Sequence, residues 1–239
     1  MLIYGVNPVM EALRAGAVTK IFVSAKREDI PHILSLARER GVPVDRVAPS
    51  FFEALPKGHQ SVAAKVREKS FMGTGEMLEA AAKVGEPPLL VALDGVEDPR
   101  NLGAIMRSAL ALGAHGIIIG KHRQSGLTPE AFKASAGAAW SLPVSREANI
   151  KYALDMLKEN GLVVAGTAAG VGVAPWEADL RVPLVLVLGG EGAGLRRVVT
   201  ERCDYLLSVP VRGVESLNVS VSAGIFLSEV LRQRSSKKK

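Results

Sequence analysis

The sequence predicts an α/β protein: a parallel sheet with helices on both faces, preceded by a smaller α/β unit. Three observations carry this. From residue 89 onward, short uninterrupted apolar runs such as Leu89-Leu90-Val91-Ala92-Leu93 alternate with helical patterns, as expected of strands buried on both faces. Before residue 68 the elements are shorter and less regular. Between the two lies Gly73-Thr74-Gly75, an Ala-rich stretch and Pro87-Pro88, the composition of a connection. The expected organisation is a small unit over 1–67, a linker with a short helix over 68–86, and a larger unit over 87–239.

In the first unit, residues 8–14 read as a helix and 20–24 as a strand. Residues 30–40 place Ile30, Ile33, Leu34 and Ala37 on one helical face, and Gly41 stops the helix. A strand at 42–47, a short helix at 51–55 ended by Pro56-Lys57-Gly58, and a weak strand at 61–66 complete it. The linker helix is expected over 76–84. In the larger unit, strands are expected at 89–93, 116–119, 142–145, 162–166, 184–188 and 205–209. Helices are expected at 101–112, with Leu102, Ile105, Met106, Ala109 and Leu110 on one face, at 129–138, at 149–160 before Gly161, from about 195, and at 216–233. In such a sheet ligands sit beyond the carboxyl ends of the strands, so the loops that follow strands are the informative ones.

Composition narrows the function classes. The chain is 48% hydrophobic and 23% charged, too apolar for disorder. No apolar run reaches the roughly 18 residues of a membrane helix, and no signal-peptide pattern opens the sequence. A soluble, cytoplasmic protein is the expectation. The single cysteine, Cys203, excludes an intramolecular disulfide and a Cys-based zinc site, and the four histidines lack metal-ligand spacing, so no metal is expected. Net charge is +6, yet residues 232–239 alone carry five positive charges, so the body is nearly neutral. A basic tail suits a polyanion; it equally suits a solvated helix end.

Three stretches concentrate polar groups where strands end. The first, Asp94-Gly95-Val96-Glu97-Asp98-Pro99-Arg100-Asn101 through Arg107, opens a helix, with Asn101 as a candidate N-cap and Arg107 about 120° further round. A cap and a solvent-facing arginine would look the same. The second, Leu188-Gly189-Gly190-Glu191-Gly192-Ala193-Gly194-Leu195-Arg196-Arg197, lets backbone N–H groups approach a ligand, or is a tight turn; Glu191 is the residue a turn does not need. It lacks the acidic residue about 20 positions on that a dinucleotide fingerprint requires. The third, Ser208 to Gly224, carries Ser216, Asn218 and Ser220 at alternate positions, with Ser216 as the candidate cap; a polar helix entry is the plain alternative. His59-Gln60 reads as loop filler, and Trp140 and Trp176 as core or rim residues. P-loop and nucleophile-elbow motifs are absent.

In order and spacing, Asp94-Gly95-Val96…Asp98-Pro99…Asn101-Leu102-Gly103…Arg107-Ser108, Leu188-Gly189…Glu191-Gly192…Gly194 and Pro210…Gly213…Ser216-Leu217-Asn218-Val219-Ser220-Val221 resemble the three signature motifs of the SpoU/TrmH family of RNA ribose 2′-O-methyltransferases. Tyr4-Gly5-Val6-Asn7-Pro8-Val9 and His59-Gln60 resemble the subgroup with an L30e-like RNA-binding domain in front, which includes enzymes methylating a guanosine of 23S rRNA. The resemblance implies a SPOUT fold with a C-terminal trefoil knot, a homodimer through the knot region, and S-adenosylmethionine held by backbone groups at Thr167, Gly189, Val209 and Leu217. It implies that Arg107 engages the ribose 2′-oxygen and the neighbouring phosphate, that Asn101 orients Arg107 or the ribose, and that Glu191, Ser216 and Asn218 hold the target nucleotide and Arg107 in register. Two departures stand out. The Pro210–Ser216 spacing is one residue short, and Gly190 replaces a common serine or alanine, a change expected to be harmless.

Overall fold

The computed structural model describes residues 1–27, 29–122 and 124–235. Residues 236–239 of the basic tail lie outside the described residues. The first unit runs β1 (Leu2–Tyr4), α1 (Val6–Arg14), β2 (Val18–Ser24), α2 (Pro31–Glu39), β3 (Val44–Val47), α3 (Ser50–Glu53) and β4 (Val62–Val66). Its sheet has the order β1-β4-β2-β3, with β4 antiparallel to both neighbours and β2 parallel to β3. Strand β1 falls outside the expected elements: three residues ahead of Gly5 are too few to show a period.

After α4 (Thr74–Ala82), the second unit runs β5 (Leu89–Asp94), α5 (Pro99–Ala111), β6 (Gly116–Gly120), α6 (Pro129–Ala134), α7 (Ala138–Ser141), β7 (Val144–Glu147), α8 (Ile150–Glu159), β8 (Val163–Thr167), β9 (Leu184–Gly189), α9 (Arg197–Thr200), β10 (Tyr205–Leu207) and α10 (Val219–Ser235). Six strands pair in the order β10-β8-β9-β5-β6-β7, every pair parallel. The expected parallel sheet is therefore present, and all six strands end on one edge.

Alternation along the central strands builds two cores. Leu89, Val91 and Leu93 of β5, with Leu184, Leu186 and Leu188 of β9, face the layer of α5 and α10. Leu90, Ala92, Val185 and Val187 face the opposite layer, with Met77 of α4 and Leu154 and Leu157 of α8. Helix α5 buries Leu102, Ile105, Met106 and Ala109 as expected, while Leu110 is exposed instead. Its N-cap is Asp98, whose carboxylate accepts from the Arg100 N–H at 2.8 Å, and Asn101 lies in the first turn. Pro99, which has no N–H, favours the first helical position and places the cap one residue earlier.

The helix expected over 129–138 is broken. Ala136 and Gly137 take φ of 46° and 93°, a left-handed pair that ends α6 and restarts the chain as α7. Trp140 of α7 packs on Phe132 with ring centroids 4.2 Å apart, and touches the cores of both units. Around it, Lys69 donates to the Trp140 carbonyl at 2.8 Å and the Lys133 ammonium lies over the Tyr4 ring. Trp176 is exposed. At the far end, Arg234 of α10 donates to the carbonyls of Pro87, Pro88, Leu180 and Val182, fastening that helix beneath β5 and β9. No described helix is long and apolar enough to cross a membrane.

Gly103 is where α5 meets α6 at backbone distance: a methyl group there would overlap the Ala131 carbonyl oxygen and the Ala134 β-carbon. Gly103→Ala is expected to lower stability by about 1–3 kcal/mol, the usual cost of overpacking, measured as a drop in the urea midpoint with an unchanged slope.

Candidate functional site

The site is assembled at the carboxyl edge of the large sheet from the three polar stretches. Strands β5 and β9 pair through six residues, with Asp94 opposite Gly189, so the loops that follow them start side by side. Asp94 is buried to 1% exposure. Its carboxylate accepts from the backbone N–H of Arg196 at 2.8 Å and from Arg196 Nε at 2.7 Å. The glycine loop is thereby tied at both ends, since the Gly190 N–H also donates to the Asp94 carbonyl.

The contact between the loops requires glycine. A methyl group at Gly190 would run into the Gly95 carbonyl oxygen, and one at Gly189 into Gly194. The change at Gly190 is therefore not harmless in the other direction: serine or alanine fits only if the Gly95 backbone moves.

On one side of the glycine loop lies a cleft of about 590 Å³. Thr167, Gly189, Val209 and Leu217 all line it, together with Glu191, Ser216 and Asn218. Residues 209–217 make no hydrogen bond to any described residue through backbone or side chain. A stretch of backbone with open donors and acceptors facing a cleft is suited to a ligand held by main-chain groups.

Above the cleft four polar side chains form one directed chain. Ser220 Oγ donates to Asn218 Oδ1 at 2.6 Å, Asn218 Nδ2 donates to Asn101 Oδ1 at 3.1 Å, and Asn101 Nδ2 donates to Glu191 Oε1 at 2.5 Å. Every amide orientation is set by its neighbours. Asn218 Oδ1 also accepts the Ser220 N–H, so Asn218, not Ser216, caps α10, and that helix begins at Val219. Ser216 is exposed on the cleft and has no hydrogen bond among the described residues. Arg107 lies two turns along α5 from Asn101, exposed, and makes no hydrogen bond or ion pair with any described residue. The structure thus joins Asn101, Glu191 and Asn218 directly, and leaves Arg107 and Ser216 uncommitted.

His59 and Gln60 line neither side of the glycine loop and brace the first unit. His59 Nδ1 accepts from the Ser61 N–H, and Gln60 Oε1 accepts from the Val6 N–H at the start of α1. The Asp94–Arg196 clamp escaped sequence reasoning because its partners are 102 residues apart and share no periodic pattern.

The SpoU rRNA Methylase family model matches residues 88–228. The chain belongs to the SpoU methylase family. A second model, described as RNA 2′-O ribose methyltransferase substrate binding, matches residues 2–72 of this SpoU protein. YacO of Bacillus subtilis, assigned to the TrmH family as a tRNA/rRNA methyltransferase, is 38% identical over 237 residues, covering 97% of this chain and 95% of its own. An uncharacterized tRNA/rRNA methyltransferase of Mycobacterium avium is 41% identical, covering 97% of this chain and 77% of its own. Among solved structures, the SpoU methyltransferase AviRb of Streptomyces viridochromogenes, in complex with AdoMet, superposes with a TM-score of 0.85 at 30% identity, covering 100% of this chain and 91% of that one. An rRNA methyltransferase of Sinorhizobium meliloti does so at 0.79 and 27%, covering 97% and 86%.

Asp94→Asn keeps the shape of the clamp and removes its charge. Amide hydrogen exchange across 190–195 is expected to accelerate by about tenfold or more, the scale of losing a hydrogen bond to a charged group, while exchange in β5 and β9 stays slow.

Proposed function

We propose that this SpoU protein transfers a methyl group from S-adenosylmethionine to the 2′-oxygen of a ribose in structured RNA, with a guanosine of 23S rRNA as substrate, in the cytoplasm. The observation that carries the reading is the Ser220–Asn218–Asn101–Glu191 chain beside a cleft of open backbone groups, with an unpaired cation on the same helix as Asn101. The family model over 88–228 and the AdoMet complex of AviRb support the chemistry. The substrate-binding model over 2–72 supports RNA as partner and ribose as the point of attack.

In this reading residues 1–67 are an L30e-like RNA-binding domain, 68–86 connect, and 87–239 form a SPOUT methyltransferase domain whose C-terminal segment is a trefoil knot. The cofactor is held by main-chain groups at Thr167, Gly189, Val209 and Leu217. When bound, it supplies an electrophilic methyl group, so what the protein must add is alignment and help with the hydroxyl proton. A guanidinium keeps its proton at working pH. Arg107 therefore acts by charge: it holds the phosphate next to the target, lowers the pKa of the 2′-hydroxyl, and leaves the proton to that phosphate or to water. Asn101 orients the ribose and Arg107. Glu191, fixed on one carboxylate oxygen by Asn101, keeps the other for the nucleotide, and Ser216 and Asn218 complete the enclosure.

Transfer of a labelled methyl group from S-adenosylmethionine to RNA lacking the modification tests the reaction. Label is expected with wild type, and nucleoside digestion is expected to give 2′-O-methylguanosine. Arg107→Ala and Arg107→Lys are expected to lose about 100-fold or more in kcat with cofactor affinity intact. Wild-type turnover in either variant sinks the assigned role, and unlabelled RNA sinks the reaction.

The homodimer is supported by apolar side chains left in solvent: Val171, Trp176, Val214 and Val221 are each more than half exposed. Light scattering is expected to give twice the 25.3 kDa chain mass, and Trp176→Asp is expected to shift the species toward monomer. A monomeric wild type rejects this interface.

A further inference from the structure

A second cleft, of about 600 Å³, opens on the other side of the glycine loop at the ends of β5, β6 and β7. Gly190, Glu191, Ala193 and Gly194 line both clefts and form their common wall. None of the three motif-borne roles above uses the far side of this wall.

Gln124 is the group that gives the second cleft its chemistry. Its Oε1 accepts from the Gly120 N–H at 2.6 Å, which fixes the orientation of the amide. Its Nε2 is fully buried and has no hydrogen-bond partner among the described residues. A buried donor without an acceptor is costly to keep unless a ligand supplies one. Across the cleft mouth stands Glu97. The Ser125 N–H donates to the Val96 carbonyl at 2.8 Å, which sets the loop carrying Gln124 against the loop carrying Glu97. The Glu97 carboxylate is exposed and has no hydrogen bond or ion pair with any described residue. Lys121, also exposed, supplies a cation at the rim.

A donor and a carboxylate acceptor lining one cleft are together complementary to a ring carbonyl next to a ring N–H. Guanine presents that edge through O6 and N1–H, and uracil through O4 and N3–H. Adenine and cytosine present the reverse order, an amino group next to a bare ring nitrogen, and would leave both protein groups unmatched. We propose that the second cleft receives the base of the target nucleotide, a guanine or a uracil. Gln124 Nε2 donates to the ring carbonyl, Glu97 accepts from the adjacent N–H, and the ribose stays at the Glu191 wall facing the cofactor cleft. The proposal rests on the methyltransferase reading for its substrate and on the second cleft for its specificity.

Two measurements test it on the full-length chain. GMP, UMP, AMP and CMP are titrated by calorimetry or saturation-transfer NMR. GMP or UMP is expected to bind at least about tenfold more tightly than AMP and CMP, the scale of one matched base edge. Gln124→Glu, which keeps the acceptor for Gly120 and removes the donor, and Glu97→Ala, an exposed change that removes the acceptor and leaves the core untouched, are each expected to erase the preference. Four equal affinities, or a preference surviving in both variants, overturn the proposal. In the methyl-transfer assay both variants are expected to raise KM for RNA about tenfold or more, with S-adenosylmethionine affinity unchanged. Unchanged KM overturns the base pocket and leaves the methyltransferase reading standing. Nucleotide discrimination without a KM effect assigns the cleft to a free nucleotide and also overturns the proposal. If wild type transfers no label, the methyltransferase reading fails, and the target-base proposal that rests on it fails with it. The titration then still decides whether the cleft discriminates nucleotides.

Discussion

The Asp94 carboxylate, buried at the end of β5 and bonded to Arg196 through both backbone and side chain, fixes the spatial relation of the two loops that form the site. A carboxylate withdrawn from water is stable only with its acceptor sites filled, so the sheet end and the glycine loop are held in one arrangement. With that arrangement set, Gly190 lies against Gly95, Glu191 comes within reach of Asn101, and the loop separates two clefts instead of lying across one.

The side chains above the clefts divide into committed and uncommitted groups. Asn101, Asn218 and Ser220 spend their hydrogen bonds on one another and on one oxygen of Glu191. Arg107, Ser216, Glu97 and one nitrogen of Gln124 have none among the described residues. Preorganised polar groups beside unsatisfied ones are what a binding surface requires: the first hold their geometry without the ligand, and the second gain their partners only from it.

Much of the fold was legible because buried parallel strands write themselves as uninterrupted apolar runs. Leu89–Asp94, Gly116–Gly120 and Leu184–Gly189 all lie where those runs stand. Legibility failed where local and tertiary effects compete. Leu2–Tyr4 is too short to show a period, and its strand state depends on pairing with β4, 60 residues away. The 129–138 stretch reads as one helix, and only the left-handed backbone at Ala136 and Gly137 reveals the break. Both caps were misplaced within their own motifs, at Asn101 for Asp98 and at Ser216 for Asn218, since several good capping residues stand together and only geometry selects among them. At the site, Asn101, Glu191 and Asn218 were legible through motif spacing. Asp94 as a clamp and Gln124 as a donor were not, because each takes its meaning from a partner or a vacancy on another loop.

The bonds from Arg234 to four carbonyls below β5 and β9 also bear on how the molecule comes into being. Strand β5 waits for β9, made some 90 residues later, and α10, later still, covers the face of both. Contacts of such long sequence separation form slowly. On the ribosome the first unit can condense early, while the edge that carries the candidate site stays unformed until α10 has emerged. Assembly of this edge thus waits on α10, and a chain released before that helix holds its first unit without the two clefts.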